Sequence, residues 1–351
     1  SGARAGRSMP VLDPGLAGSD QSLTAAYVDA VLPPLLAHYG LSREAVLQQA
    51  GLSEAPFAEP GQLLPLVDVL RLFLVILQAS GDPGLGFEIG KRVKPRSYQV
   101  LGYVILASRD LGQAIDRLIR FESLSGKLGE SRLSRHGDTV RLSWQCPLAG
   151  EPARYLTEAA VTGWVAFMRP LIAQSLSPAR VCFRHPAPDD EQRYQAFFDA
   201  PVVFDADFDG VELPSEYLCL PLESADPGLS VMMEREARDL LADFDADTNL
   251  VSAVRARIYQ QLADGEPSLE SVAESLGMPS RTLSARLARR SLRFAEILDS
   301  LRQSLAELYL QDRALSLTEI ALLLGFAESS SFSRAFRRWR GTSPNQWRRG
   351  G

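Results

Sequence analysis

The first part of the chain has apolar positions at helical spacing. Leucine, valine and other apolar residues recur every three or four positions in Leu23–Leu36 and again in Val67–Leu77. A third such segment, Leu111–Leu124, follows Asp110, a residue type that caps helix N-termini. The pattern therefore predicts that helices open the fold.

After residue 130 the pattern changes to that of strands. Ser131–Arg135 and Thr139–Trp144 flank His136-Gly137-Asp138, a sequence typical of a hairpin turn. One further helix and two short strands are predicted at Tyr155–Leu176, Arg180–Arg184 and Val202–Phe204. Residues 21–220 are therefore predicted to form one mixed α+β domain, with the helices first.

Residues 221–250 are predicted to be a helical linker between two domains. Pro221–Pro227 is rich in turn-forming residues and marks a boundary. Apolar spacing then predicts two helices, Leu229–Phe244 and Asn249–Leu262. Residues 251–351 follow as a second domain, predicted to be all-α.

A short helix-turn-helix pattern occurs twice in this second domain. The first copy begins at Ser268, a good N-cap, and Gly277 ends its first helix, where left-handed backbone favours glycine. Ser280 is predicted to cap a second helix, Arg281–Arg290. The inward side chains are Leu269, Val272, Ala273 and Leu276 on the first helix, and Leu283 and Leu287 on the second.

The second copy opens with a capping box at Ser316–Glu319, and Gly325 supplies its turn. Its second helix is predicted over Ser329–Trp339. Its inward side chains are Leu317, Ile320, Ala321 and Leu324 on the first helix, and Phe332 and Phe336 on the second. A long helix, Phe294–Leu310, joins the two copies and spans about 25 Å.

Charge is distributed unevenly between the two parts of the chain. The net charge is −6, but residues 1–250 carry 22 basic and 33 acidic side chains, whereas residues 251–351 carry 15 basic and 10 acidic ones. All 15 of these basic residues are arginine. This asymmetry is typical of a nucleic-acid-binding module joined to an acidic domain.

The outward faces of the two second helices carry residues that suit DNA. A helix-turn-helix unit places its second helix in the major groove, where arginine reads guanine through two hydrogen bonds, and serine and arginine near helix ends hold phosphates. Two such helices joined by the long helix are expected to enter successive major-groove faces, roughly 34 Å apart. The outward residues are Arg281, Ser284, Ala285 and Ala288, then Ser329, Ser330, Ser333, Arg334, Arg337 and Arg338. The sequence leaves open whether any one arginine reads a base, holds a phosphate or lies on the surface.

The run from Arg281 to Arg349 resembles the DNA-binding domain of the AraC/XylS family of regulators. Its most specific motifs are "LGF", "FSRAFRRW", Gly341-Thr342-Ser343-Pro344 and Trp347-Arg348, in that order. The resemblance implies base-reading positions at Arg281, Ser284 and Ala285, and at Ser329, Ser330, Ser331 and Arg334. The full predicted set of DNA contacts adds Ser280, Arg289, Ser333, Arg337 and Arg338.

Two positions depart from the family pattern. The family has glycine at the end of the first recognition helix, and here Ser291 stands there. Ala285 has no polar group, so it is expected to contact at most a thymine methyl.

Residues 21–220 resemble, more loosely, the arabinose-binding-like, ornithine-regulator-like sensor domain that precedes the DNA-binding domain in one branch of this family. The matching stretches are mostly glycine and apolar residues: Gly81–Val93, Tyr98–Phe121, Val181–Pro188 and Phe197–Pro214. Candidate effector-binding residues in an apolar pocket are Arg96, Tyr98, Tyr103, Trp144, Trp164, Phe167 and His185.

Several other classes of site are not predicted. Cys146, Cys182 and Cys219 are far apart and lack metal-ligand spacing, so reduced, partly buried thiols are expected, with redox sensing left open. No metal ligands, cofactor or catalytic residues are predicted, since the three histidines show no metal spacing and no catalytic fingerprint is present. No membrane span is predicted. Residues 1–20 are expected to be a disordered tail whose first eight residues are a vector remnant.

The prediction is a two-domain cytoplasmic, nucleoid-associated transcription regulator that binds promoter DNA as a homodimer. The resemblance implies activation, with RNA polymerase as a further partner, under the control of a small-molecule effector in the first domain. An amino acid, a fatty acid or an aromatic acid remains open as the effector. The alternatives are a first domain that only dimerises or binds a partner protein, and a fused catalytic domain.

Overall fold

The computed structural model describes the backbone of residues 21–58, 62–173, 176–262, 264–288 and 292–350, and the side chains of these residues except 243–249 and 350. The predicted tail of residues 1–20, Arg289 and Ser291 lie outside the described residues. The chain divides into two compact units. The first unit contains residues 22–64 and 69–242, and the second contains residues 65–68 and the described residues from 243 to 350.

Helices dominate the first hundred residues of the first unit, as predicted. The side chain of Asp110 accepts the backbone N–H of Gln113 at 2.8 Å and so caps the last of these helices. That helix ends at Phe121 rather than at Leu124, because Glu122–Ser125 form a 3₁₀ turn. The elements are β1 (Ser22–Thr24), α1 (Ala25–Tyr39), α2 (Arg43–Ala50), α3 (Ala55–Ala58), β2 (Leu63–Pro65), α4 (Leu66–Ser80), α5 (Leu85–Gly90), α6 (Val100–Leu106) and α7 (Leu111–Phe121).

The rest of the first unit forms two small sheets and two helices. The predicted hairpin is confirmed, with Gly137 at a φ of 62° between its strands. The predicted helix over Tyr155–Leu176 instead begins at Glu151 and ends at Met168, two residues before Pro170. The elements are β3 (Gly126–Lys127), β4 (Glu130–His136), β5 (Thr139–Gln145), α8 (Glu151–Met168), β6 (Arg180–Cys182), α9 (Gln192–Phe198), β7 (Val202–Val203) and β8 (Gly210–Pro214).

The strand order places an unpredicted strand at the centre of the larger sheet. The sheets have the orders β2-β1-β3 and β4-β5-β8-β6-β7. Strand β8, which the sequence pattern did not predict, pairs antiparallel with both β5 and β6. The β6–β7 pair is parallel. The first unit is therefore an α+β domain, as predicted.

A single long helix, α10 (Pro227–Leu262), replaces the two helices predicted for this segment. The prediction of a break at residues 245–248 was wrong. The apolar pattern lapses there, but neither glycine nor proline occurs from Leu229 to Leu262, so nothing in the backbone stops the helix.

The described residues after α10 form six helices that contain both helix-turn-helix units, which confirms the predicted all-α class. Ser268 and Ser316 cap their helices as predicted. Ser280 does not: it is the first residue of its helix, and the carbonyl of Pro279 accepts from the N–H groups of Thr282 and Leu283 instead. The helices are α11 (Leu269–Ser275), α12 (Ser280–Ala288), α13 (Phe294–Gln311), α14 (Leu317–Leu323), α15 (Ser329–Arg340) and α16 (Pro344–Gly350).

Candidate functional site

The two helix-turn-helix units share one local design. Gly277 and Gly325 have φ values of +67° and +71°, the left-handed backbone that ends the first helix of each unit. Leu283 and Leu287 of α12 and Phe332 and Phe336 of α15 are at most 1% exposed. These buried side chains fix which face of each second helix points away from the core.

The predicted DNA-binding residues lie on the faces that remain accessible. On α12, Arg281, Ser284 and Ala285 are exposed and Ser280 is half-buried. On α15 the exposed residues are Ser330, Arg334, Arg337 and Arg338, and the half-buried ones are Ser329, Ser331 and Ser333. The structure therefore brings a serine- and arginine-rich surface to each second helix.

Local contacts distinguish the arginines of α15 from one another. Arg334 donates to the hydroxyl of Ser331 at 3.2 Å, so its guanidinium is held along the outward face. Arg338 instead donates to the carboxylate of Asp299 on α13 at 2.8 Å. A guanidinium paired in this way is turned towards α13, and Arg338 is less available to DNA than the sequence suggested.

Among the arginines that give this part of the chain its positive charge, Arg255 and Arg302 are buried, and the side chain of Arg340 is only 8% exposed. Arg302 of α13 donates to the carbonyls of Leu324 and Gly325 at 2.8 and 3.2 Å, and to Glu266 at 3.1 Å. Arg302 therefore joins the turn of the second helix-turn-helix unit to α13 and to the loop before α11. Charge counting could not separate this structural arginine from those that face solvent.

Gly325, the turn glycine of the second helix-turn-helix unit, also packs against the loop between α10 and α11. A Cβ atom at this position would lie 2.4 Å from the carbonyl oxygen of Gly265, whereas a Cβ at Gly277 would meet no heavy atom within 4 Å. The turn of the second helix-turn-helix unit therefore packs against the loop that follows α10. This contact holds the second helix-turn-helix unit against the loop that leads into the first helix-turn-helix unit.

Two cavities among the described residues of the first unit have predicted effector residues in their walls. The larger has a volume of about 100 Å³, and its walls include the predicted effector residues Tyr98, Trp144 and Trp164. The smaller has a volume of about 40 Å³ and is lined by Tyr98, Trp164 and a third predicted residue, Phe167. The two cavities share Tyr98, Leu118 and Trp164 as walls.

The larger cavity also contains residues that the sequence did not single out. Tyr27, Glu122, Ser125 and Ser131 are among the residues with polar side chains that line it. Tyr27 lies on α1 and Glu122 in the 3₁₀ turn after α7, so only the fold brings them together. The one signal in the sequence is Glu122 itself, an acidic residue directly after the apolar end of a helix.

Glu122 is the charged group of this cavity. Both of its carboxylate oxygens accept the backbone N–H of Ser131, at 3.0 and 3.1 Å. Burial raises the pKa of this carboxyl group above its ordinary value. Burial also raises the pKa of Tyr27 to about 12, so this phenol in the cavity wall is neutral at pH 7.

The other three predicted effector residues lie elsewhere. Arg96 is exposed, and Tyr103 has 49% of its surface exposed. His185 lies between Phe183 and Phe204 with its Nε2 atom 3.2 Å from the buried carboxylate of Glu158. None of the three lines either cavity.

The cysteines are separate in the structure as in the sequence. Cys182 is buried, Cys146 is half-buried and Cys219 is exposed. Burial raises the pKa of Cys146 to about 11. In the part of the chain that the structure describes, no group of three or more potential metal ligands occurs, and no helix is long and apolar enough to span a bilayer.

Both parts of the chain match known protein families. Residues 40–222 match the arabinose-binding domain of AraC transcription regulators, an N-terminal domain, and residues 272–350 match a helix-turn-helix domain. The first match alone covers more than half of the chain.

Similar proteins cover almost the whole chain. The ornithine utilization regulator of Pseudomonas aeruginosa is 32% identical over 325 residues, 92% of this chain and 95% of its own length. The regulator VirS of Mycobacterium tuberculosis is 32% identical over 323 residues, 86% of this chain and 93% of its own length. The crystal structure of the regulator CdpR from Pseudomonas aeruginosa covers 92% of this chain and 98% of its own, with 22% identity and a TM-score of 0.46.

Proposed function

Because the chain belongs to the AraC family of transcription regulators, we propose that its two exposed recognition helices read promoter DNA and that a small-molecule effector in the first unit controls this reading. One observation supports the DNA-binding part of this proposal: the chain contains two helix-turn-helix units. In each unit the second helix has buried apolar side chains on one face and exposed serine and arginine on the other.

In the proposed complex α12 and α15 enter successive major grooves. The helix that joins the two helix-turn-helix units, α13, has 18 residues and is therefore about 27 Å long. Successive major-groove faces are roughly 34 Å apart. The length of α13 and the widths of the two helix-turn-helix units together reach this distance. One chain would then contact about two turns of DNA.

The exposed residues divide into two proposed roles. Arg281 and Arg334 are the candidates for reading guanine, because each is exposed on the outward face of its second helix. The serines at the start of α15 and Ser280 at the start of α12 are placed to hold phosphates, which orient the protein without reading the sequence. Ala285 is proposed to contact a thymine methyl at most.

Selection of binding sites from random DNA tests this proposal. The wild-type chain should select a motif with two conserved blocks whose centres are about 10 base pairs apart. Arg281→Ala should lose sequence preference in one block and Arg334→Ala in the other. The proposal is wrong if the wild-type chain selects no motif, or if both variants select the wild-type motif unchanged.

The larger cavity supports the effector part of the proposal. It combines apolar and aromatic walls with a few polar groups, which is the usual composition of a small-molecule site. An effector alters transcription only if it binds one state of the protein better than another. The alternative is a first unit that only dimerises or binds a partner protein, and the absence of any stabilising small molecule in thermal-shift assays would favour it.

Activation, dimerisation and location complete the proposal. The family resemblance favours activation through RNA polymerase in the cytoplasm, which transcription in vitro from a promoter with the selected site would test. A homodimer is proposed from the family resemblance and from the adjacent apolar side chains of Val231 and Met232 on α10, which are 72% and 66% exposed and which a second copy would cover. Light scattering of the full chain with and without DNA measures this directly.

A further inference from the structure

The larger cavity of the first unit has one carboxyl group and several aromatic rings in its walls. We infer that this cavity binds a small organic ammonium cation, with the carboxylate of Glu122 as its counter-ion and Tyr27, Tyr98, Trp144 and Trp164 as its aromatic walls. This inference rests on the effector part of the proposed function and names the chemical class of the effector.

The charge of the cavity walls favours a cation. Glu122 is the only ionisable group among them besides the two phenols, and no lysine, arginine or histidine of the described chain lines the cavity. No described ion pair involves Glu122, whose interactions are with Ser131 and, at longer range, the like charge of Glu130. Glu122 is half-buried, and partial removal of a carboxylate from water without a counter-ion is unfavourable. A bound cation would supply the missing positive charge.

The aromatic walls favour the same class of ligand. Faces of tyrosine and tryptophan rings attract ammonium groups, and clusters of such rings are a common way to bind alkylated ammonium. Tyr27 and Tyr98 both line the cavity, and their ring centroids lie 5.4 Å apart with the rings tilted by 46°. Gly129 leaves room for Trp144, because a Cβ at that position would lie 2.6 Å from the indole ring.

The size of the cavity limits the ligand. A cavity of about 150 Å³ in another protein holds benzene, which has six heavy atoms. The cavity of about 100 Å³ here therefore holds a body of about four heavy atoms, and a longer chain would have to extend past Tyr98, Leu118 and Trp164 into the smaller cavity.

The same residues disfavour an acid as the ligand. A fatty acid or an aromatic acid would place a second carboxylate beside Glu122, where like charges repel at low dielectric. An amino acid also carries a carboxylate, but its ammonium group can pair with Glu122. Of the three effector classes that the sequence left open, the cavity accordingly disfavours the two that lack an ammonium group.

Calorimetric titration of the full-length chain at pH 7 tests the inference with three probes that each have four carbon atoms, so that the end of the carbon chain extends towards the smaller cavity: n-butylammonium, 1-butanol and butyrate. The wild-type protein should bind butylammonium about tenfold or more tightly than butanol, and butyrate should show no binding. Glu122→Gln, which retains an acceptor for Ser131, should reduce this preference to within about threefold. The matched control is Glu130→Gln, which removes a neighbouring exposed charge paired with Arg132 and should leave the preference unchanged.

Trp144→Leu provides a second variant that leaves Glu122 in place, and it should weaken butylammonium binding more than butanol binding. Circular dichroism confirms that each variant is folded. The inference is overturned if butanol or butyrate binds as well as butylammonium, if Glu122→Gln keeps the preference, or if none of the three probes binds. Binding of the selected DNA by the same preparations reports the DNA-reading function separately, so the two proposals fail independently.

Discussion

The guanidinium group of Arg117 on α7 donates a hydrogen bond of 2.8 Å to the carboxylate of Glu234 on α10. The Arg117 side chain is only 4% exposed, and it also donates to Ser230 of α10 at 2.8 Å. The next residue of α7, Leu118, lines both cavities. One helix therefore contacts the proposed effector site on one face and the start of the long helix α10 on another.

Loss of this arginine should loosen the start of α10. We expect Arg117→Met to lower the free energy of unfolding by about 2–3 kcal/mol, because buried hydrogen bonds to Ser108, Ser230 and Glu234 are lost together. Hydrogen exchange of residues 227–242 should accelerate in the variant.

Arg120→Met is the control for this prediction. Arg120 contacts the same carboxylate at 3.4 Å, but its side chain is half exposed, so its loss should cost under about 1 kcal/mol. Equal losses for the two variants would mean that the buried position of Arg117 has no special importance.

The arginines of α15 should differ in their effect on DNA binding. Arg334→Ala should weaken binding to the selected site by about 1–3 kcal/mol and relax the preference at one base pair. Arg338→Ala should weaken it less, because Arg338 is held by Asp299. Fluorescence anisotropy on the selected site and on random DNA measures both effects. Equal losses on the two DNAs would identify Arg334 as a phosphate contact.

The two turn glycines should respond differently to alanine. Gly277→Ala should cost about 1–2 kcal/mol, the ordinary penalty for left-handed backbone with a Cβ atom. Gly325→Ala should cost clearly more, because its Cβ would also collide with the carbonyl of Gly265. Urea unfolding of the full chain gives the comparison, and equal costs would contradict the packing of the second turn against that loop.

The carboxyl group of Glu122 should make the stability of the first unit depend on pH. Its pKa is raised in the folded state, so its stabilising effect is full below the ordinary glutamate value and is lost as pH rises through the folded value. Glu122→Gln removes this dependence. We therefore expect the variant to gain stability relative to the wild-type protein as pH rises from about 4 to 8.

Thermal unfolding across this pH range, without added amine, measures the difference between the two proteins. Parallel curves for Glu122→Gln and wild type would show that the carboxyl group is not destabilised by burial. Addition of butylammonium should narrow the difference at pH 7, because it binds and stabilises more strongly the protein that retains the charge.

The helix-turn-helix units were predictable because their signals are local. Ser268, Ser316, Gly277 and Gly325 act within one or two turns of the helices that they begin or end. Ser280 shows the limit of this approach: proline and serine both suit a helix N-terminus, and the sequence could not decide which carbonyl accepts the first bonds.

The effector cavity was only partly predictable because it is built from distant segments. Aromatic residues suggested Trp144, Trp164 and Tyr98, but equally Tyr103, which is exposed on α6. Tyr27 and Glu122 join the cavity through the packing of α1, α7 and α8, which no local pattern records. Strand β8 escaped prediction for a similar reason, since its five residues form a strand by pairing with β5 and β6.

The affinity of the full-length chain for its selected site, compared with unrelated DNA of equal length at one fixed salt concentration, tests the central claim most directly. Sequence-specific reading by α12 and α15 predicts that the selected site binds at least about a thousandfold more tightly. Equal affinities that fall together as salt rises would instead show a protein that holds only phosphates, and would contradict the account.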